Sequence, residues 1–77
     1  MAVFGIKVVD LTKSKSSKGE VVYRTSSLHS AGEMYGKYVK QYDCKTFPTY
    51  PILAQKREKG HIMCQVSLEE LREEETN

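Results

Sequence analysis

The stretch from Ser27 to Tyr42, SLHSAGEMYGKYVKQY, sets the pattern around which the rest of the chain is arranged. Its apolar and aromatic side chains recur at steps of three and four residues, which is the spacing of one face of an α-helix. Polar side chains fall on the opposite side when the residues are placed about 100° apart around a helix axis. We therefore expect one amphipathic helix that covers a core. Its apolar face consists of Leu28, Ala31, Gly32, Tyr35, Tyr38, Val39 and Tyr42.

Two serines offer a start for this helix. Ser27 is the preferred N-cap because it keeps the first leucine inside the apolar stripe. Ser30 with Glu33 also fits a capping box, which would begin the helix one turn later. Gly32 and Gly36 each cost up to about 1 kcal/mol in a helix relative to alanine. Their presence predicts that the helix backbone lies close to a sheet or to another chain.

The sequence predicts one pair of strands before the helix and another pair after it. Residues 3–11, VFGIKVVDL, alternate Phe, Ile and Val with a second set of side chains, as a β-strand does. Residues 20–25, EVVYRT, follow a polar serine and lysine loop at residues 12–19 and predict the second strand. Residues 52–57 and 61–66 flank a short turn that contains a glycine, which is typical of another hairpin.

The remaining segments complete the predicted architecture. Residues 43–51 are expected to be irregular, because their prolines disfavour helix geometry in the preceding residues. Ser67 and Glu70 fit a capping box, which predicts a short helix over residues 68–74. The order ββαββ predicts an α+β fold with about four antiparallel strands and the helix packed on one face of the sheet. Residues 1–77 are read as a single domain.

Composition narrows the class of protein. The chain has 77 residues, 39% of them hydrophobic and 29% charged, and lacks an apolar run of the ~20 residues that a membrane-spanning helix needs. The N-terminus MAVFGIKVVD lacks the basic and long apolar regions of a signal peptide. Its two cysteines are then expected to be free thiols in a reducing compartment. We expect a soluble cytoplasmic protein.

Charge is divided unevenly along the chain. Residues 1–66 carry eleven Lys or Arg against five acidic residues, a net charge of +6. Residues 67–77 carry one Arg against five Glu, a net charge of −4, and the end of this acidic segment is expected to fray. Such a division predicts either an acidic partner for the basic body or an acidic tail that folds back on it.

Catalytic and metal chemistry find little support in the sequence. The candidate side chains are Cys44, Cys64, His29 and His61, and none lies in a recognisable catalytic motif. His61 and Cys64 are three residues apart, which places them on opposite faces of a strand. No close ligand pair suits zinc and no glycine-rich phosphate loop occurs, so no metal, cofactor or small-molecule substrate is expected. A thiol-dependent enzyme remains a third hypothesis, with His29 as the base.

The leading hypothesis is a non-catalytic binding protein whose basic surface engages an acidic partner. That partner is nucleic acid, a nucleoprotein or an acidic protein face, since clustered lysines contact phosphates or carboxylates. The sequence has no RRM, KH or helix-turn-helix signature, and solvated lysine is also common on small proteins. The predicted contact residues are Lys13, Lys15, Lys18, Lys37, Lys40, Lys56, Arg57 and Lys59.

The alternative is an inhibitor or adaptor that binds another protein. Its small, motif-poor chain would suit a regulator encoded by a phage or another mobile element. Sheet edges can accept a strand from a partner or from a second copy, so a homodimer is open as well. Tyr, Met and Arg are favoured at interfaces. The candidates, provided that they lie on the sheet face away from the helix, are Tyr23, Arg24, Tyr50 and Met63.

Overall fold

One helix lies across one face of a five-stranded antiparallel sheet. The computed structural model describes residues 2–12, 19–46 and 52–71. In space the strands follow the order β2-β1-β5-β4-β3. The predicted α+β class and antiparallel sheet are confirmed, whereas the chain order has a further short strand after the helix. The elements are β1 (Val3–Asp10), β2 (Glu20–Thr25), α1 (Leu28–Gln41), β3 (Lys45–Thr46), β4 (Ile52–Glu58) and β5 (His61–Leu71).

The core forms between the helix and the two central strands, β1 and β5. Ile6 and Val8 point to the helix side, where they lie opposite Leu68 and Val66 of β5. All four are buried, which confirms the period-two alternation predicted for these strands. The register places apolar side chains in adjacent rows, so that one helix suffices to cover them.

The second hairpin is confirmed, with its turn at Lys59 and Gly60. Both residues have positive φ, 51° and 81°, as the two central positions of a type I′ turn require. The register between β4 and β5 shifts after Lys56, where Met63 is the extra residue of a β-bulge. β4 itself stays regular, so its side chains alternate between the two faces along its whole length.

The predicted C-terminal helix is wrong, because β5 continues through Leu71. Residues Ser67 to Leu71 pair with β1, from Lys7 back to Val3. This ladder satisfies backbone groups along a central strand, and it buries Leu68 in the core. A local capping signal at Ser67 does not compete with those contacts. Residues 72–74 of the predicted helix lie outside the described residues.

The helix begins as predicted after Ser27. The backbone N–H of Ser30 donates to the Ser27 hydroxyl over 3.2 Å, so Ser27 is the N-cap and the later start at Ser30 is wrong. Leu28 is 58% exposed and is not part of the buried stripe. The helix instead meets the sheet through fully buried Ala31 and the half-buried side chains that follow it. These are Met34, Tyr35, Tyr38, Val39 and the capping residue Tyr42.

The two helix glycines do not mark a close approach. A side-chain carbon added at Gly32 or Gly36 would meet no atom within 4 Å, and both residues are exposed. The expectation of a nearby sheet or chain at these glycines is therefore wrong for the described structure. Ala31 is the residue at which the helix approaches the sheet. No helix in the described ranges has the length and apolar character needed to cross a membrane.

The end of the helix directs the chain to the far edge of the sheet. Asp43 N–H donates to Lys40 O over 3.2 Å and Cys44 N–H donates to Val39 O over 2.9 Å, which together form a Schellman motif. Asp43 has φ of 55°, the left-handed conformation that this motif requires. Val39 and Cys44 both pack against the core, as is usual for the two ends of the motif. The chain then enters β3.

Candidate functional site

The predicted basic residues fall into three groups in the fold. Those of the loop between β1 and β2, Lys13, Lys15 and Lys18, lie outside the described residues. Lys37 and Lys40 are exposed on α1. The β4–β5 hairpin supplies half-buried Lys56, exposed Arg57 and exposed Lys59.

A groove at the β3–β4 edge brings part of this charge together. It has a volume of about 510 Å³ and holds Lys56 and Arg57, together with Lys45, which the sequence had not indicated. Lys40 is not among the residues that line this groove, although its backbone carbonyl accepts the N–H of Asp43, which does. We call this feature the edge groove. Its lining residues are Asp43, Lys45, Thr46, Gln55, Lys56, Arg57 and Glu58.

The edge groove exists because β3 is only two residues long. Lys45 pairs with Gln55 and Thr46 pairs with Ala54, so β3 supplies no partner for residues 56–58 of β4. Continuation of the ladder would place Cys44 beside Lys56. The Schellman motif prevents this, since it commits the Cys44 N–H to the helix end. The outer side of residues 56–58 is therefore left facing the groove.

Strand alternation distributes the cations over both faces of this edge. Lys56 lies opposite Cys64 and shares the helix side with buried Ala54, which lies opposite Val66. Arg57 is one residue further along a regular strand and faces the other side. Lys45, opposite Gln55, faces the same side as Arg57. The groove thus offers one cation on the helix side and two on the uncovered side.

The charges of the edge groove are mixed, with a basic excess. Lys45, Lys56 and Arg57 stand against Asp43 and Glu58. Over residues 2–12, 19–46 and 52–71, no ion pair engages any of the three cations. They remain free to contact an external anion.

A second, more apolar hollow lies on the other side of the hairpin turn. We call it the turn pocket. It has a volume of about 610 Å³ and shares Glu58 with the edge groove. Two residues predicted as contacts line it, Lys59 and Met63. The full lining is Leu11, Glu58, Lys59, His61, Ile62 and Met63.

The other predicted interface residues are dispersed. Tyr23 lies opposite Ile6 on the helix side and packs against the core, so it does not meet the condition of lying on the uncovered face. Arg24 is exposed on the opposite edge strand, paired with Gly5. Tyr50 lies outside the described residues. Tyr23 and Arg24 therefore do not form one exposed surface.

The two thiols lie close to each other beneath the end of the helix, an arrangement that their sequence separation hides. Cys44 Sγ lies 4.0 Å from the carbonyl oxygen of Cys64, whose own Sγ lies 3.7 Å from Asp10 Oδ1. Burial is the largest cause that raises the pKa of both thiols. The Cys64 thiol further raises the pKa of Cys44, and Asp10 further raises the pKa of Cys64. Both cysteines are free.

This thiol pair lacks the features of an activated nucleophile. A raised pKa disfavours the thiolate, which is the reactive form of cysteine. The predicted base, His29, is 86% exposed and pairs with Glu33 at 2.7 Å. The buried hydroxyl of Tyr35 has no hydrogen-bond partner among the described residues. Burial is the larger cause that raises the pKa of Tyr35, and the neighbouring Cys44 thiol is the smaller one. The cluster has the character of a partly polar core.

No protein-family model, no curated protein and no solved structure matches this chain. The observations that bear on function are those of the structure. The edge groove brings three cations to an open strand, whereas the opposite edge strand, β2, presents exposed Arg24.

Proposed function

We propose that this protein is a non-catalytic binding module that engages an acidic macromolecular partner through the edge groove. The observation that supports it is the convergence of Lys45, Lys56 and Arg57 on one groove with no internal ion pair among the described residues. Lys59 follows Glu58, a residue of the edge groove, at the hairpin turn and lines the turn pocket. The partner is an acidic protein face, a nucleoprotein or nucleic acid.

The expected binding is moderate and depends on salt. Exposed ion pairs contribute about 0.2–1 kcal/mol each, so three cations alone add only about 0.6–3 kcal/mol. Salt weakens these exposed contacts, and charges separated by more than the Debye length of about 8 Å at physiological ionic strength are largely screened. Charge therefore orients and accelerates encounter, and the remaining affinity has to come from other contacts along the groove.

The edge groove also favours the second hypothesis. In it, the protein is an inhibitor or adaptor that acts on another protein through a sheet edge. The outer side of β4 at residues 56–58 has no partner from β3. An open strand edge is a ready template for pairing with another chain. The two hypotheses thus differ in the chemistry of the partner and share one surface.

Titration of labelled acidic probes across salt concentrations tests the proposal. The probes are a fluorescein-labelled poly-glutamate peptide and a labelled single-stranded oligonucleotide, measured by fluorescence polarisation at about 50 mM and about 200 mM salt. At least one probe is expected to bind, more weakly at the higher salt. Affinity that is indifferent to salt, or absence of binding by both probes, would remove the proposal.

A matched pair of arginine variants locates the binding surface. Arg57→Ala removes an exposed arginine from the edge groove, and Arg24→Ala removes an exposed arginine from the opposite edge strand. We expect only Arg57→Ala to weaken binding, by about 1.4-fold to fivefold. A pull-down from lysate with and without nuclease then identifies the partner class, because a partner lost on nuclease treatment was bridged by nucleic acid.

A further inference from the structure

We infer that the edge groove accepts an extended acidic segment of another protein, which adds to the sheet beside β4 in line with β3. This inference rests on the proposed function and narrows its partner to one class. Addition of a strand to an exposed edge is a common mode of peptide recognition, in which backbone hydrogen bonds give affinity and side-chain sites give specificity.

The backbone provides the first requirement, an unfilled position in the ladder. β3 ends its pairing at Lys45 and Gln55, while β4 continues for three residues as Lys56, Arg57 and Glu58. The groove of about 510 Å³ lies along this continuation. The chain of the protein itself leaves the position at Cys44, whose N–H is bonded to the helix end. An incoming strand would occupy the line that β3 vacates.

Side-chain alternation defines what the incoming strand should carry. A side chain opposite Arg57 would point to the uncovered face, where Lys45 also lies, and an acidic residue there would meet two cations. The position opposite Lys56 is closed to the incoming strand, because half-buried Cys44 follows directly from Lys45 there, so the incoming segment pairs from Arg57 outward. The residue opposite Glu58 should be neutral or basic. An extended segment with an acidic residue opposite Arg57 is therefore the expected motif.

The mixed charge of the edge groove favours a peptide over nucleic acid. A nucleic acid strand carries a phosphate at every nucleotide, so it would bring some of its charge close to Asp43 and Glu58, which also line the groove. A peptide can carry its acidic residues at the cationic positions alone. Its backbone also supplies the alternating donors and acceptors that a strand edge pairs with, which a phosphate chain lacks.

The test uses a fluorescein-labelled peptide that contains one glutamate within a run of valine and threonine. Two versions carry N-methyl groups on alternate residues, in the two complementary phases. Because successive N–H groups of a strand point to opposite sides, one phase removes the bonds to β4 and the other removes only groups that face solvent. We expect the first phase to weaken binding by about tenfold or more and the second to leave the Kd within about threefold.

Exchange of the charges of Arg57 and of the facing peptide residue tests the specificity of the contact. Arg57→Glu should weaken binding of the acidic peptide more than Arg57→Ala does, and it should bind more tightly to a peptide whose facing glutamate is replaced by lysine. Arg57 is exposed, and a circular dichroism spectrum matching the original protein verifies that the variant folds. Recovery of the charge-exchanged pair supports the inference, and equal loss for both peptides overturns it.

The outcomes separate this inference from the broader proposal. Salt-dependent binding that is equally tolerant of both N-methylation phases would overturn strand addition while leaving a basic binding surface intact. Tighter binding of the single-stranded oligonucleotide than of the peptide, with competition between them, would also overturn it in favour of nucleic acid. Failure of every acidic probe to bind would remove both the inference and the proposed function.

Discussion

Replacement of Asp43 by glycine should stabilise the protein and also tighten acidic-ligand binding. Asp43 occupies the left-handed position of the Schellman motif with φ of 55°. This conformation costs residues with a Cβ about 1–2 kcal/mol, and less for Asp. The carboxylate also lies at the negative end of the helix dipole, which costs about 0.3–1 kcal/mol. Against these gains, glycine gives the unfolded chain more conformational freedom, which lowers the free energy of unfolding by about 0.4–1 kcal/mol. The net gain is about 1 kcal/mol.

Thermal unfolding measures this gain, with Asp43→Ala as the control. For a chain of this size a change of 1 kcal/mol shifts Tm by about 4–8 °C. Asp43→Ala removes the same carboxylate but keeps the Cβ in the left-handed conformation. Its Tm should therefore be well below that of Asp43→Gly. Equal Tm values for the two variants would refute the assignment of backbone strain to this residue.

The same two variants report on the edge groove, which Asp43 lines. Each lacks one carboxylate near Lys45, Lys56 and Arg57. Both should bind the acidic peptide about 1.4-fold to fivefold more tightly than the original protein, and by the same factor, because the lost charge is identical. Unchanged affinity in both variants would show that the carboxylate lies beyond electrostatic reach of the ligand.

Three further predictions follow from local geometry and burial. Gly36→Ala should raise the free energy of unfolding by about 0.8–1 kcal/mol in chemical denaturation, since the added methyl group meets open space; a loss of stability would contradict the packing. Lys59→Asn should stabilise the type I′ turn by about 0.5 kcal/mol, and an unchanged urea midpoint would count against that turn type. The pKa values of the Cys44 and Cys64 thiols are raised above their ordinary value of 9.0, so the unfolded chain ionises first. Stability should hold below about pH 9 and fall above it; the fall should lessen in the double Cys→Ala variant, and a stability that stays constant up to pH 10 in the original protein would contradict the raised values.

The helix and the second hairpin could be predicted because their signals are local. A stripe at helical spacing, an N-cap at Ser27 and a glycine turn at Gly60 each reflect contacts between residues near in sequence. The extension of β5 to Leu71 escaped prediction because its stability comes from pairing with β1, more than sixty residues earlier in the chain. The three-residue spacing of Leu68 and Leu71 favours one face of a helix, whereas a strand places the two side chains on opposite faces, so the pairing with β1 overrides the local pattern.

The candidate site was predictable in part for the same reason. Lys56 and Arg57 were indicated because they follow one another in a strand next to a turn. Lys45 and Asp43 were not, because their place in the groove depends on how β3 registers against β4. The available signal was the position of these residues just beyond the helix end, where the chain has to cross to the sheet. The proximity of the two cysteines could not be predicted either, because it depends on where the end of the helix meets β5.

Mapping of amide chemical shifts during titration with the acidic peptide shows which edge of the sheet binds it. We expect the largest shift changes at Lys45 and at residues 55–58, which line the edge groove, with amides of residues 20–25 on the opposite edge unchanged. Changes centred on residues 20–25, or a saturating titration that leaves the amides of residues 55–58 unmoved, would contradict binding at the edge groove.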